Sequence, residues 1–217
     1  MSPLIAIDGP AGSGKSTVAT AVARRLGLAR LDTGAMYRAV TLRVLRAGAD
    51  PADARRAAEL ATSMVLTLGE HVLLDGEDVT AAIRTPAVDA AVSAVSAHPA
   101  VRAELVARQR AWAAAQGGGV VEGRDIGSVV FPDADLKVYL TADPHERARR
   151  RVDQRGGEAA EQQAMEAPAE TLAALAARDA HDSRRLTSPL TVPQGAIVVD
   201  STHLGVDAVV EEVLRHL

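Results

Sequence analysis

The chain has no cysteine, no asparagine, only two lysines (Lys15 and Lys137) and 2% aromatic residues among its 217. Without cysteine there is no disulfide framework, no Cys-based zinc site and no thiol nucleophile, a pattern that fits a reducing cytoplasm. So few rings leave the core to Ala, Val, Leu and Ile and give no platform for stacking on nucleic acid. The formal net charge of -4 excludes a general polyanion-binding surface, although a local basic cleft is compatible with it. No stretch approaches the roughly 20 apolar residues of a membrane span. The N-terminus has no basic region followed by a long apolar run. The expectation is a soluble, untargeted, cytoplasmic monomer with neither nucleic-acid nor membrane partners.

What is present points to one substantial core: 47% of residues are hydrophobic, enough for a main domain with a small insert. Leu4 to Ile7 reads as a buried strand running into Asp8-Gly9-Pro10. From Lys15 the apolar positions Val18, Ala19, Val22, Ala23 and Leu26 recur at helical spacing, and Gly27 closes that helix. Further strands are predicted at Ala29 to Leu31, Val120 to Glu122, Leu136 to Leu140 and Ile197 to Val199, separated by helical patterns. That alternation predicts a parallel α/β sheet. Asp143-Pro144-His145-Glu146 reads as a helix start with a capping box. Met64 to Val79 holds three short strand-like pieces punctuated by Gly69-Glu70 and Asp75-Gly76, which predicts a small antiparallel insert followed by helices at Pro86 to Ser96 and Pro99 to Ala115. The Gly, Ala, Gln and Glu-rich stretch from Gln154 to Glu170 reads as a cover segment. The six histidines have no ligand spacing, and Trp112 reads as packing.

Gly9-Pro10-Ala11-Gly12-Ser13-Gly14-Lys15-Ser16 matches G-x-x-x-x-G-K-[ST] and sits between a strand and a helix, where the mechanism of that motif requires it. Small residues let backbone amides approach phosphate oxygens, and the helix points its positive end at them. Lys15 is then placed to reach the β and γ phosphates and Ser16 to ligate Mg2+. In a chain whose default cation is arginine, a lysine here has a reason: a compact ammonium fits between phosphates where a guanidinium does not. Lys137, within a strand, reads as structural.

The loop alone leaves a GTPase switch, an ATP-driven motor or a kinase open. The absence of asparagine removes the N-K-x-D guanine-reading motif, and a motor calls for a larger domain. A kinase needs an acceptor site with its own cations. Candidates follow the strands, where ligand sites of open α/β sheets lie: Asp32-Thr33-Gly34-Ala35-Met36-Tyr37-Arg38 and Gly123-Arg124-Asp125-Ile126-Gly127. Arg102 opens a helix after the insert, and Arg178, Asp182 and Arg185 fall at i, i+4 and i+7 of a predicted helix.

These blocks, together with Asp75-Gly-Glu-Asp-Val79, Ile83-Arg-Thr85, Phe131-Pro-Asp133, Arg178-Asp179 and Asp200-Ser-Thr202, closely resemble the bacterial cytidylate kinase family of nucleoside monophosphate kinases over essentially the whole length. The resemblance implies a P-loop three-layer α/β fold with a central parallel five-stranded sheet. It implies a core of residues 1–62 and 116–217, an acceptor-binding insert of 63–115 and a helical lid over about 147–185. It implies phosphoryl transfer from ATP, with Mg2+, to CMP and dCMP. ATP would be held by Gly9, Pro10, Ala11, Gly12, Ser13, Gly14, Lys15, Ser16, Thr17 and Arg150, with Arg147 and Arg151 also in the lid and Asp200 to Thr202 near the adenine. Thr33, Arg38, Arg124 and Arg185 would bind the acceptor phosphate, with Tyr37 shaping that pocket. Ser93, Arg102 and Asp125 would face cytosine, and Arg178 and Asp182 the ribose. Lys15, Arg124, Arg178 and Arg185 would act on the transferring phosphoryl group, with Ser16 on the metal. Thr33 stands where serine is frequent, Glu122 replaces a frequent aspartate, and 156–171 departs from the family pattern.

Overall fold

The computed structural model describes residues 2–155, 167–185 and 187–217. Most of the expected cover segment, 156–166, lies outside them. The chain forms two compact units, one of Met1–Arg30 with Gly117–Leu217 and one of Leu31–Gln116.

In the first unit, β1 (Leu4–Asp8) runs through the Gly9 to Gly14 loop into α1 (Lys15–Leu26). Gly14 at the N-cap and Gly27 at the C-cap are both left-handed (φ +90° and +63°), and the Gly27 N–H returns to carbonyls of the last turn as the sequence predicts. β1 pairs in parallel with β6 (Gly119–Glu122) and β7 (Leu136–Thr141), and β7 with β8 (Ile197–Asp200). With β2 (Arg30–Asp32) the five strands stand in the order β2-β6-β1-β7-β8, the parallel sheet expected. β1 is central, so the loop that leaves its carboxyl end sits at the topological switch point of the sheet.

Ile5, Ile7, Val18, Val22, Val120, Val138 and Leu140 are buried with Val209 and Val213 of α8 (Val206–Leu214). This clamps α1 and α8 to the sheet without a single aromatic ring. Two further helices, α6 (Pro144–Arg155) and α7 (Ala167–Ser183), pack on each other. Asp143 caps α6, its Oδ1 accepting from the amides of His145 and Glu146 at 2.8 and 3.4 Å. The expected capping box does not form. Thr202 Oγ1 already takes the Asp143 N–H at 2.8 Å, and the Glu146 carboxylate turns instead to Arg149 and Arg150.

The second unit carries α2 (Thr33–Arg46), α3 (Ala54–Ser63), α4 (Pro86–Ala97), α5 (Pro99–Gln116) and an antiparallel sheet of β3 (Leu66–Leu68), β4 (Val72–Leu74) and β5 (Glu77–Asp78). The sheet is the three-piece insert that the turn residues predict. Asp75 (φ +51°) and Gly76 (φ +88°) turn the chain from β4 into β5, a conformation that Asp and Gly tolerate best.

Candidate functional site

Glycine is obligatory at two points of the loop. A Cβ on Gly9 (φ +148°) would lie 2.0 Å from the Leu140 carbonyl oxygen, and one on Gly12 (φ +78°) 2.8 Å from that of Arg147. The loop is pressed between β7 and α6. Lys15 is buried, and its Nζ donates to the Pro10 carbonyl at 2.6 Å, lying across the loop. Burial drives its pKa well below the ordinary lysine value, the neighbouring Arg124 guanidinium acts in the same direction, and the carboxylates of Glu122, Asp179 and Asp8 oppose both. Ser16 Oγ donates to Glu122 Oε2 at 2.7 Å, and Arg30 pairs with Glu122 Oε1 at 2.7 Å. Ser16 and Thr17 are exposed at the start of α1, whereas Pro10, Ala11 and Ser13 are buried.

Side chains from distant parts of the chain hold the loop's peptide groups. Arg124 Nη1 donates to the Gly9 carbonyl at 2.9 Å, while its Nε meets Asp182 Oδ2 at 3.0 Å. Asp182 also pairs with Arg185 at 2.9 Å, and both side chains are about 5% exposed. Arg147 donates to the Ala11 carbonyl at 3.0 Å and pairs with Asp179, which accepts from the Ala11 N–H at 3.1 Å. Arg150 donates to the hydroxyl and carbonyl of Ser201 at 2.9 and 2.7 Å, and Ser201 Oγ donates to the Ser13 carbonyl at 3.2 Å. Arg178 is half-buried on α7, and Arg151 half-buried on α6. One expectation is corrected: α7 ends at Ser183, so Arg185 lies beyond the helix instead of on its i+7 face and reaches Asp182 from the following turn.

Asp8, to which none of the sequence motifs assigns a role, is fully buried and accepts from the amides of Ile126 and Gly127 at 2.8 and 2.7 Å. Burial raises its pKa to about 6 against the pull of those two amides. A polar residue ending an apolar strand one position before the loop was the signal for it. Asp179 was visible only as the neighbour of Arg178. Lys137 donates to the Gln194 carbonyl at 3.0 Å and packs on Gly127, a structural role.

In the second unit Asp32 caps α2 by accepting from Ala35 N–H at 3.0 Å, which places the buried Thr33 in the first turn, at the positive end of the helix. Arg38 is buried, donates to the Ile83 carbonyl at 2.9 Å and pairs with Asp89. The Arg102 guanidinium lies 5.3 Å from the Tyr37 ring centroid, a cation–π contact, and donates to the Ser96 carbonyl at 3.3 Å. Ser93 is half-buried, its carbonyl accepting from Ser96 Oγ at 3.2 Å.

Among the described residues no group of three His, Asp or Glu side chains is arranged for a metal. The pair of Ser16 hydroxyl and Glu122 carboxylate fits a cation that keeps waters and nucleotide phosphates as most of its ligands, which is the habit of Mg2+. No helix among them is long and apolar enough to cross a membrane. A parallel sheet with a glycine loop at the end of its central strand, a lysine lying across that loop and arginines crowded around it define a P-loop kinase.

The chain matches cytidylate kinase over residues 5–217. It is 51% identical over 219 residues to a cytidylate kinase of Symbiobacterium thermophilum, covering 98% of this chain and 95% of the relative. It is also 51% identical over 218 residues to a cytidylate kinase of Mycobacterium leprae, covering 99% and 93%. An uncharacterized protein of solved structure from Eubacterium ventriosum shares the fold, with a TM-score of 0.53 at 12% identity over 99% of this chain and 98% of that one. The chain belongs to the cytidylate kinase family, and is thus a nucleoside monophosphate kinase.

Proposed function

We propose that this chain transfers the γ-phosphoryl group of ATP to CMP and dCMP, giving CDP or dCDP and ADP. An oxygen of the acceptor phosphate forms the new bond to the γ phosphorus as the bond to the β–γ bridging oxygen breaks, and ADP leaves. The observation that supports this reading best is Arg124: one arm of its guanidinium holds the Gly9 carbonyl of the phosphate loop and another pairs with Asp182, the carboxylate assigned here to the acceptor ribose. Phosphoryl transfer asks the protein mainly to position and neutralise. Lys15 exchanges its Pro10 contact for the β and γ phosphates. Arg124 and Arg185 carry the charge that builds on the moving group, with Arg178 beside them. Bound Mg2+ supplies further charge neutralisation, and Ser16, supported by Glu122, would hold it. Arg147, Arg150 and Arg151 close over the ATP phosphates and exclude water.

On the acceptor side, Thr33 and Arg38 bind the phosphate, Tyr37 shapes the pocket, and Arg178 and Asp182 hold the ribose. Cytosine presents acceptors beside an exocyclic amine, so Arg102 donates while Asp125 and Ser93 accept. Uracil would set an acceptor against an acceptor, a contact that discriminates strongly. Asp125→Ala is expected to raise the dissociation constant of CMP by about tenfold or more, the order of one lost buried polar contact, and to leave that of ATP within about twofold. Isothermal titration with each nucleotide checks this, and equal losses for both would count against the assignment.

A further inference from the structure

Asp8 ends β1 one residue before the phosphate loop, and its carboxylate is completely buried. A buried carboxylate is unfavourable unless its oxygens are satisfied, and burial has raised this one's pKa to about 6. Both oxygens serve one segment: Oδ1 accepts from Ile126 N–H and Oδ2 from Gly127 N–H. These are the first two amides of the π-helical turn Ile126–Val130, which directly follows Arg124 and Asp125.

Aspartate is among the best residues for capping such a turn from its own N-cap position, and Asp125 occupies that position. Its side chain nonetheless makes no capping bond there, while its carbonyl accepts from Val129 and Val130 at 2.9 and 3.1 Å. Asp8 does from the central strand what Asp125 would otherwise do locally. The neighbouring Gly9 carbonyl adds the bond from Arg124, so residues 8 and 9 grip both ends of segment 124–127.

We infer that Asp8 is a positioning residue for the acceptor. By capping the turn in place of Asp125, it fixes Arg124 and Asp125 against the phosphate loop and keeps the Asp125 carboxyl from being drawn into its own turn. This rests on the assignment of Arg124 and Asp125 to CMP. Ionised Asp8 accepts two amides at once, which its amide isostere cannot do without setting N–H against N–H.

The test is Asp8→Asn, with Asp8→Ser as a second variant, each read by steady-state kinetics and by amide hydrogen exchange. The expected result is a KM for CMP raised about tenfold, the size of one to two lost buried hydrogen bonds, with the KM for ATP within about twofold. Exchange at Ile126 and Gly127 accelerates while the amides of α1 keep their protection. An unchanged KM for CMP, equal rises for CMP and ATP, or failure of both variants to fold overturns the inference, the last because Asp8 would then be a purely structural residue. If the wild-type chain does not phosphorylate CMP, the substrate assignment fails on the wild type alone, and the exchange measurement still decides whether Asp8 holds the turn.

Discussion

At the scale of single residues the donor site is a set of side chains holding backbone carbonyls. Lys15, Arg124 and Arg147 donate to three consecutive loop carbonyls, Pro10, Gly9 and Ala11, so the loop's shape is fixed by the same cations that would later meet phosphate. Lys15 shows why this arginine-rich chain keeps a lysine. Its Nζ lies 2.6 Å from the Pro10 carbonyl in a buried position, and a guanidinium is broader, planar and committed to five donors. Lys15→Arg is therefore expected to lower kcat by about a hundredfold or more, as does removal of other preorganised transition-state donors, although formal charge is conserved. A quenched-flow measurement of ADP formation checks it, and near-wild-type turnover would show that charge alone suffices. Glu122 reaches Ser16 at 2.7 Å with one carboxylate oxygen and keeps Arg30 at 2.7 Å on the other.

At the scale of elements, the loop is locked by α6, whose backbone passes over it. Gly12 carries no Cβ where one would meet the Arg147 carbonyl at 2.8 Å, and its φ of +78° disfavours any other residue. Gly12→Ala is expected to destabilise the fold by about 1–3 kcal/mol through strain and the displaced turn of α6. It should also weaken ATP more than CMP; thermal unfolding and nucleotide titration together check this. The strand, loop and first helix were legible in the sequence because their determinants are local: an apolar run, glycines at fixed offsets, and Gly27 at the end. The small antiparallel sheet was legible for the same reason, through Asp75-Gly76. What could not be read depends on partners far away in sequence. Asp143 looks like the start of a capping box, but Thr202, from beyond β8, takes the amide that Glu146 would have needed. Arg185 fits a helical face by spacing, but the helix ends before it. Asp8 stands out in sequence only as a polar end to an apolar strand and Asp179 only as the neighbour of Arg178, because their partners lie 118 and 168 residues away.

At the scale of the molecule, the residues proposed to bind the two substrates come from both units of the chain. The first holds the whole donor loop, Arg124, Asp125 and the Asp182–Arg185 pair; the second holds Thr33, Arg38 and the Arg102–Tyr37 contact. The chain carries a net charge of -4, and Arg38, Arg147 and Arg124 are paired with Asp89, Asp179 and Asp182 in the protein itself. On the proposed assignment, phosphate binding would trade carboxylate partners for phosphate oxygens, a charge-for-charge exchange. On that assignment these cations serve a pyrimidine monophosphate acceptor that carries an exocyclic amine. The direct test is a coupled assay of ADP formation from ATP with CMP, dCMP, UMP and AMP as acceptors. CMP and dCMP are predicted to exceed UMP and AMP in kcat/KM by at least about a hundredfold, the scale of a polar mismatch in a site built for hydrogen bonding. Equal or greater kcat/KM with AMP would rule out a cytosine-specific acceptor site.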